Sequence, residues 1–262
     1  MKRVIYFKDE LNDDFSGMNM KKPPLPENFR YVRKNPFYRA ACFLFYRIIA
    51  TPVAYAVCKI HYGVRYVNRK IIKKHKGGCF LYANHTMAAG DAFSPSLAAF
   101  PKNTRIIVGR EAVSNKFLRA VVPMLGGLPV PDGLKQTCKF RKAVEEYIKR
   151  KNCVTVYPEA HIWKYYTGIR PFTDVSFRYP AELSAPVFAA TVTYEKRKIF
   201  SRPRAVVYID GPFYPDMTLN LKERRKVLRD QVYTVMLSRA KNSNCEYVKY
   251  VYSGEDADKL SA

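Results

Sequence analysis

The chain has 262 residues, 48% of them hydrophobic, which suffices for one sizeable α/β core and excludes wholesale disorder. Its 46 lysines and arginines against 22 aspartates and glutamates give a formal charge of +24. Such an excess opposes compaction unless the partner is anionic, which points to nucleic acid, an acidic bilayer or phosphorylated substrates.

From the start, Met1 to Glu10 carries too short an apolar segment for a signal peptide. Residues 1–36 are polar, with acidic pairs Asp9-Glu10 and Asp13-Asp14 and the breaker-rich run Lys21-Lys22-Pro23-Pro24-Leu25-Pro26, and they predict an irregular arm. Within a membrane-interfacial segment at 37–62, Ala40 to Tyr46 and Ile48 to Cys58 form an apolar stretch interrupted by Arg47, with Thr51-Pro52 in its middle. Pro52 is expected to end one helix and open a second with Thr51 as its cap. Each half is then too short for the ~20 residues that span hydrocarbon. The flanking cations Arg33, Lys34, Arg39, Lys59, Arg65 and Arg69 fit a helical hairpin held against acidic headgroups; the alternative is a buried pair packed on the core.

Residues 63–252 predict one domain, followed by a frayed tail at 253–262. Strands are expected at 78–81, 104–109, 153–157, 186–193 and 204–209, with a short extended piece at 128–131. Helices are expected at 92–100, 115–125, 137–151 and 221–239. The fold class is therefore α/β: an open, mostly parallel sheet flanked by helices, with the N-terminal membrane-associated helical hairpin. The six cysteines (Cys42, Cys58, Cys79, Cys138, Cys153, Cys245) are scattered without a chelating pair, mostly in apolar runs, and predict reduced, buried thiols in a cytosolic domain. Neither a metal nor a cofactor is expected.

The chemistry concentrates in Tyr82-Ala83-Asn84-His85-Thr86-Met87-Ala88-Ala89-Gly90-Asp91, where a strand delivers a histidine to a sheet edge. Asp91 is placed to cap a helix beginning at Ala92 or to pair with His85, fixing its tautomer and favouring the imidazolium. Strand ends in open α/β sheets gather ligands. His85 with Asp91, the Gly126–Gly133 turn, and Glu159-Ala160-His161 all fall at such ends and predict one cleft.

This order of elements resembles the glycerolipid acyltransferase family, the 1-acyl-glycerol-3-phosphate acyltransferases among them. Asn84, His85 and Asp91 resemble its Asn-His…Asp motif, with five residues between His85 and Asp91 instead of four. Gly127 to Gly133 lies where a second motif falls, with Gly133 in place of the arginine. Pro158-Glu159-Ala160-His161 is similar to a Pro-Glu-Gly-Thr-Arg motif, Arg170-Pro171-Phe172 to its downstream part, and Ala185-Pro186-Val187-Phe188 to a fourth. The likeness covers about residues 75–195. In a helical segment the extra residue would swing Asp91 about 100° away, whereas a looped Ala89-Gly90 would let the pair meet.

The resemblance implies acyl transfer from a thioester, acyl-CoA or acyl-carrier protein, to the hydroxyl of a lysophospholipid or related glycerol-phosphate acceptor. It makes His85 the general base and Asp91 its orienting carboxylate, with Asn84, Glu159, Arg170 and His161 as substrate-binding candidates. Glu159 would hold an acceptor hydroxyl or pair with an arginine. Arg170 would replace the missing phosphate-binding arginines, with Arg110, Lys135, Lys139 and Lys164 as alternatives. His161 would enter the site or point to solvent. Trp163, Tyr165 and Tyr166 would line an acyl groove, sit at the membrane interface, or simply pack. The implied place is the cytoplasmic face of the membrane, peripheral or monotopic, on an anionic surface. Two other readings stand beside it: a basic nucleic-acid binder, against which the dispersed charge and missing recognition motifs argue, and a catalytically silent membrane-attached member of the same fold.

Overall fold

Short runs of valine, isoleucine and aromatic residues, bounded by glycine, asparagine and proline, make nine strands among the described residues. In the computed structural model, which describes residues 3–15 and 24–254, these are β1 (Arg3–Phe7), β2 (Arg65–Val67), β3 (Cys79–Ala83), β4 (Thr104–Val108), β5 (Gly127–Pro129), β6 (Cys153–Val156), β7 (Val187–Glu195), β8 (Arg204–Phe213) and β9 (Val248–Tyr252). Seven form one sheet in the order β2-β8-β7-β3-β6-β4-β5. Every neighbouring pair is parallel except β7–β8. The expected α/β class with a mostly parallel sheet is therefore the observed one.

Central β3 is buried along its whole length, so it reads as an unbroken apolar run. Its side chains still alternate between faces. Phe80 and Tyr82 enter one core with Phe140 and Val144 of the Leu134–Lys149 helix and Leu228 and Val232 of the Leu221–Ala240 helix. Cys79, Leu81 and Ala83 enter the other, with Leu97 and Ala98 of the Ala89–Ala99 helix. Both layers thus press on the strand that leads to His85.

The hairpin is replaced by a single helix, Pro36–His61, continuous through Pro52. π-helical turns at Phe45–Ala50 and Val57–His61 explain this. The Thr51 N–H reaches back five residues to the Tyr46 carbonyl, and its hydroxyl donates to the same oxygen at 2.8 Å. The widened turn makes room for the Pro52 ring, which a regular α-helix would drive into a carbonyl. Among the described residues this helix is long and apolar enough to cross a membrane, and only 11% of its most apolar stretch is buried. Ala54 and Cys58, which are buried, pack it against the Ala89–Ala99 helix.

The N-terminal arm also departs from expectation. Its Arg3–Phe7 segment is a strand, paired in parallel with β9 from Arg3↔Val248 to Phe7↔Tyr252. That segment of the arm therefore joins the body of the domain. Lys21, Lys22 and Pro23 of the breaker-rich run, and tail residues 255–262, lie outside the described residues. Of the cysteines, Cys58, Cys79 and Cys153 are buried and Cys138 is exposed.

Candidate active site

β3 and β6 are parallel neighbours, so the chain leaves both at the same end of the sheet and their loops meet. Trp163 N–H donates to the His85 carbonyl at 3.1 Å and Tyr165 N–H to the Thr86 carbonyl at 2.9 Å. The Tyr194 hydroxyl also donates to the Thr86 carbonyl, at 2.9 Å. The loop carrying the imidazole is thereby fixed by backbone bonds from one segment and a side-chain bond from β7.

His85 Nδ1–H donates to Asp91 Oδ2 at 2.8 Å, and the same oxygen accepts the Met87 N–H at 2.9 Å. The carboxylate selects the tautomer, leaving Nε2 as the acceptor nitrogen. His85 keeps 17% of its side chain exposed, while Asp91 keeps 2%. Burial raises the Asp91 carboxyl above the usual carboxylate range, and the hydrogen bond and charge of His85 oppose that rise.

The extra residue between the two is absorbed at an unexpected place. Ala89 and Gly90 are helical, not looped, and Asp91 lies in the first turn instead of capping Ala92. The kink falls at Ala88, with φ 50° and ψ −114°, a backbone conformation that a residue with a Cβ rarely adopts. Gly90 is needed beside it: a Cβ there would stand 2.9 Å from the Met87 Cβ and 3.1 Å from Tyr62.

Glu159 does reach His85, through the backbone: its Oε2 accepts the His85 N–H at 3.1 Å. Its Oε1 accepts the Arg170 N–H at 3.1 Å, and the Arg170 guanidinium lies 3.4 Å from Oε2. Both side chains are fully buried. Burial raises the Glu159 carboxyl, opposed chiefly by the Arg170 charge. Arg170 also donates to the His161 carbonyl and stacks over Trp163 at 4.9 Å. With no exposed surface it holds the loop and does not present its charge to a substrate. The expected phosphate-binding role of Arg170 is corrected on that ground.

Asn84 is corrected for the same reason. Its Nδ2 donates to the Val192 carbonyl at 3.1 Å and its Oδ1 accepts the Val192 N–H at 2.8 Å, which ties β3 to β7. His161 is partly exposed and its Nδ1 lies 3.7 Å from Asp14 of the arm. Trp163 is fully buried and stacks on Tyr250 at 4.9 Å, with its Nε1–H donating to the Asp13 carbonyl. It packs the arm onto the sheet and lines no groove. The Gly126–Gly133 segment contains the edge strand β5 and leaves it at the strand-end face of His85, but three strand spacings or about 14 Å from β3. Among the alternative cations, Arg110 pairs with Asp132 at 2.7 Å and Lys139 donates to the Glu27 carbonyl at 2.8 Å. Lys135 is exposed and Lys164 is partly buried.

Tyr157 is the participant that sequence reasoning missed. Its ring stacks on His85 at 4.3 Å and 22°, and its hydroxyl donates to the Asp91 carbonyl oxygen at 2.6 Å. It thus supports both members of the pair. Its position directly before Pro158-Glu159, at the end of β6, was the available signal.

The fold is a mostly parallel seven-stranded α/β sheet flanked by helices. The crystal structure of the 1-acyl-sn-glycerophosphate (LPA) acyltransferase PlsC from Thermotoga maritima shares it, with a TM-score of 0.54 over 80% of this chain and 89% of that one. The two sequences are 15% identical, so the likeness is one of fold. No protein-family model matches the chain, and no curated protein matches it.

Proposed function

We propose that the protein transfers an acyl group from a thioester donor, acyl-CoA or acyl-carrier protein, to a hydroxyl of a lysophospholipid or related glycerol-phosphate acceptor. The observation that carries this reading is the 2.8 Å bond from Nδ1–H of the partly exposed His85 to buried Asp91, which leaves Nε2 as an oriented base. Nε2 removes the acceptor proton as its oxygen attacks the thioester carbonyl carbon. The tetrahedral adduct then collapses, the C–S bond breaks, and the imidazolium returns the proton to the leaving sulfur. General-base assistance of this kind is worth ~10²–10⁴-fold. Asp91 stabilises the imidazolium, Tyr157 carries its ring face, and Glu159 with Arg170 fixes the backbone beneath it.

The Pro36–His61 helix supports a membrane location for this reaction, because its exposed Phe37, Leu44 and Ile48 would otherwise face water. We place the protein at the cytoplasmic face, where its +24 charge suits anionic lipid. Incubation of purified protein with labelled acyl-CoA or acyl-carrier protein and a panel of lysophospholipid and glycerol-phosphate acceptors tests the reading. Acylated product is expected from the wild type and is lost in His85→Ala, with folding and liposome binding retained. Absence of product with every donor and acceptor would leave a silent member of the fold and sink the proposal.

A further inference from the structure

A cavity of about 760 Å³ opens at the amino ends of the strands, opposite His85. Asn103 and Thr104 at the start of β4 and Asn152 before β6 form its floor, and the first turns of the Pro36–His61 helix form one wall. Its size lies within the ~300–1,000 Å³ of small-molecule sites.

The lining is cationic. Arg30, Arg33, Arg39, Arg105, Arg150 and Lys151 contribute to it, and among the described residues it contains no carboxylate. Arg150 is paired with Glu146 outside the cavity. Arg33 and Arg105 are only stacked, over Tyr38 and Tyr147, and among the described residues Arg30, Arg39 and Lys151 form no ion pair. Several residues of this lining carry unsatisfied groups. The buried Tyr31 hydroxyl and Thr104 Oγ1, together with the Tyr46 hydroxyl and Arg105 Nε, have no hydrogen-bond partner among the described residues. Buried donors without acceptors are rare because they forfeit water and gain nothing in return.

An occupant that satisfies these walls carries several acceptor oxygens and more than one negative charge. A carboxylate has too few of both. A phosphate monoester has three terminal oxygens and a charge near −2, and arginine forks match its geometry. We propose that this cavity is a phosphate-monoester site, independent of the acyl-transfer reading because it lies at the other end of the sheet. Phe43 lines the cavity and is also 52% exposed, beside Leu44 on the outer face of the helix, so an acyl chain attached to the phosphate has an apolar path outward.

The test is calorimetric titration of the full-length protein with two probes, dioctanoyl phosphatidate below its micellar concentration and sn-glycerol 3-phosphate. Saturable binding is expected, weakened about tenfold or more by Arg39→Gln/Arg105→Gln and unchanged by Lys222→Gln/Lys226→Gln on the Leu221–Ala240 helix. Thr104→Val separates ligand binding from general electrostatics and from misfolding. It leaves the charge alone and removes an unpartnered hydroxyl, so thermal stability should hold while affinity falls. A clear preference for phosphatidate identifies a lipid headgroup, and equal affinities identify a soluble phosphate; either upholds the site. No saturable binding of either probe, or the same affinity in wild type, Thr104→Val and the double arginine variant, overturns it.

Discussion

Glu159 Oε2 accepts the backbone N–H of His85 at 3.1 Å, so the acid at the end of β6 fixes the main chain that carries the imidazole at the end of β3. The side chain of His85 is oriented by Asp91 and its backbone by Glu159. Two buried carboxylates therefore divide the positioning of one imidazole between them.

Asp91→Asn tests the first of these restraints. An amide can turn its NH₂ toward His85 Nδ1 and so favour the tautomer protonated on Nε2, which cannot act as a base. On the proposed reaction kcat is expected to fall by ~10²-fold or more, with KM little changed. In the wild type, burial raises the Asp91 carboxyl, so it takes up a proton at higher pH than an exposed aspartate and contributes to an acid-side loss of kcat. A variant that keeps the wild-type rate would show that the pair is structural only.

Glu159→Gln and Arg170→Met should each destabilise the fold by ~3–5 kcal/mol, because each leaves a fully buried charged or polar partner uncompensated. The double variant should cost clearly less than the two losses added together. Urea unfolding of the four proteins measures the coupling. Additive losses would mean that the contact carries no interaction energy.

The buried phenols set an alkaline limit. Burial pushes Tyr62 and Tyr166 up to about 12, while unfolded phenols titrate near 10. The folded state holds these protons where the unfolded chain releases them. Their contribution is fully present below pH ~10 and is lost as pH rises from there toward 12, at no more than ~1.4 kcal/mol per pH unit for each. The urea midpoint should fall more between pH 9 and 11 in the wild type than in Tyr62→Phe/Tyr166→Phe. Equal falls would refute it.

The outer face of the Pro36–His61 helix should govern lipid attachment. Leu44 and Ile48 are 54% and 66% exposed. Burying an aliphatic side chain of this size is worth ~1.5–3 kcal/mol, so Leu44→Glu/Ile48→Glu should reduce partitioning into anionic vesicles at least tenfold. The melting temperature should be unchanged, since neither residue packs on the core. Co-flotation equal to the wild type's would argue against that attachment.

Much of the fold was legible in local sequence. The runs at Cys79–Ala83 and Cys153–Val156 are apolar throughout because helices cover both faces of the sheet, and apolar runs of that length read as buried strands. The helices at Lys116–Met124 and Leu221–Ala240 carry their own start signals, Asn115 and Asn220, whose side chains accept from the first turn. The β1–β9 pair was not legible. Its partners stand at opposite ends of the chain, and neither run is long enough to announce a strand without the other.

Within the candidate site, spacing brought His85, Asp91 and Glu159 to attention, because residue type and a strand end are local facts. What each touches was decided by the tertiary structure. Arg170 and Asn84 look like ligand-binding groups in one dimension, and the fold consumes both: one on Glu159, the other on the backbone of β7. Tyr157 looks like the last residue of a strand, and packing lays it under the imidazole. Sequence by itself determined the alternation of elements, the basic charge and the apolar character of the segment at 37–62, since these follow from hydrophobic pattern and charge along the chain. Only the tertiary structure decided how Ala88 bends to let Asp91 meet His85, and how the helix runs on through Pro52. Each depends on contacts between residues far apart in sequence, or on a backbone conformation that no local preference favours.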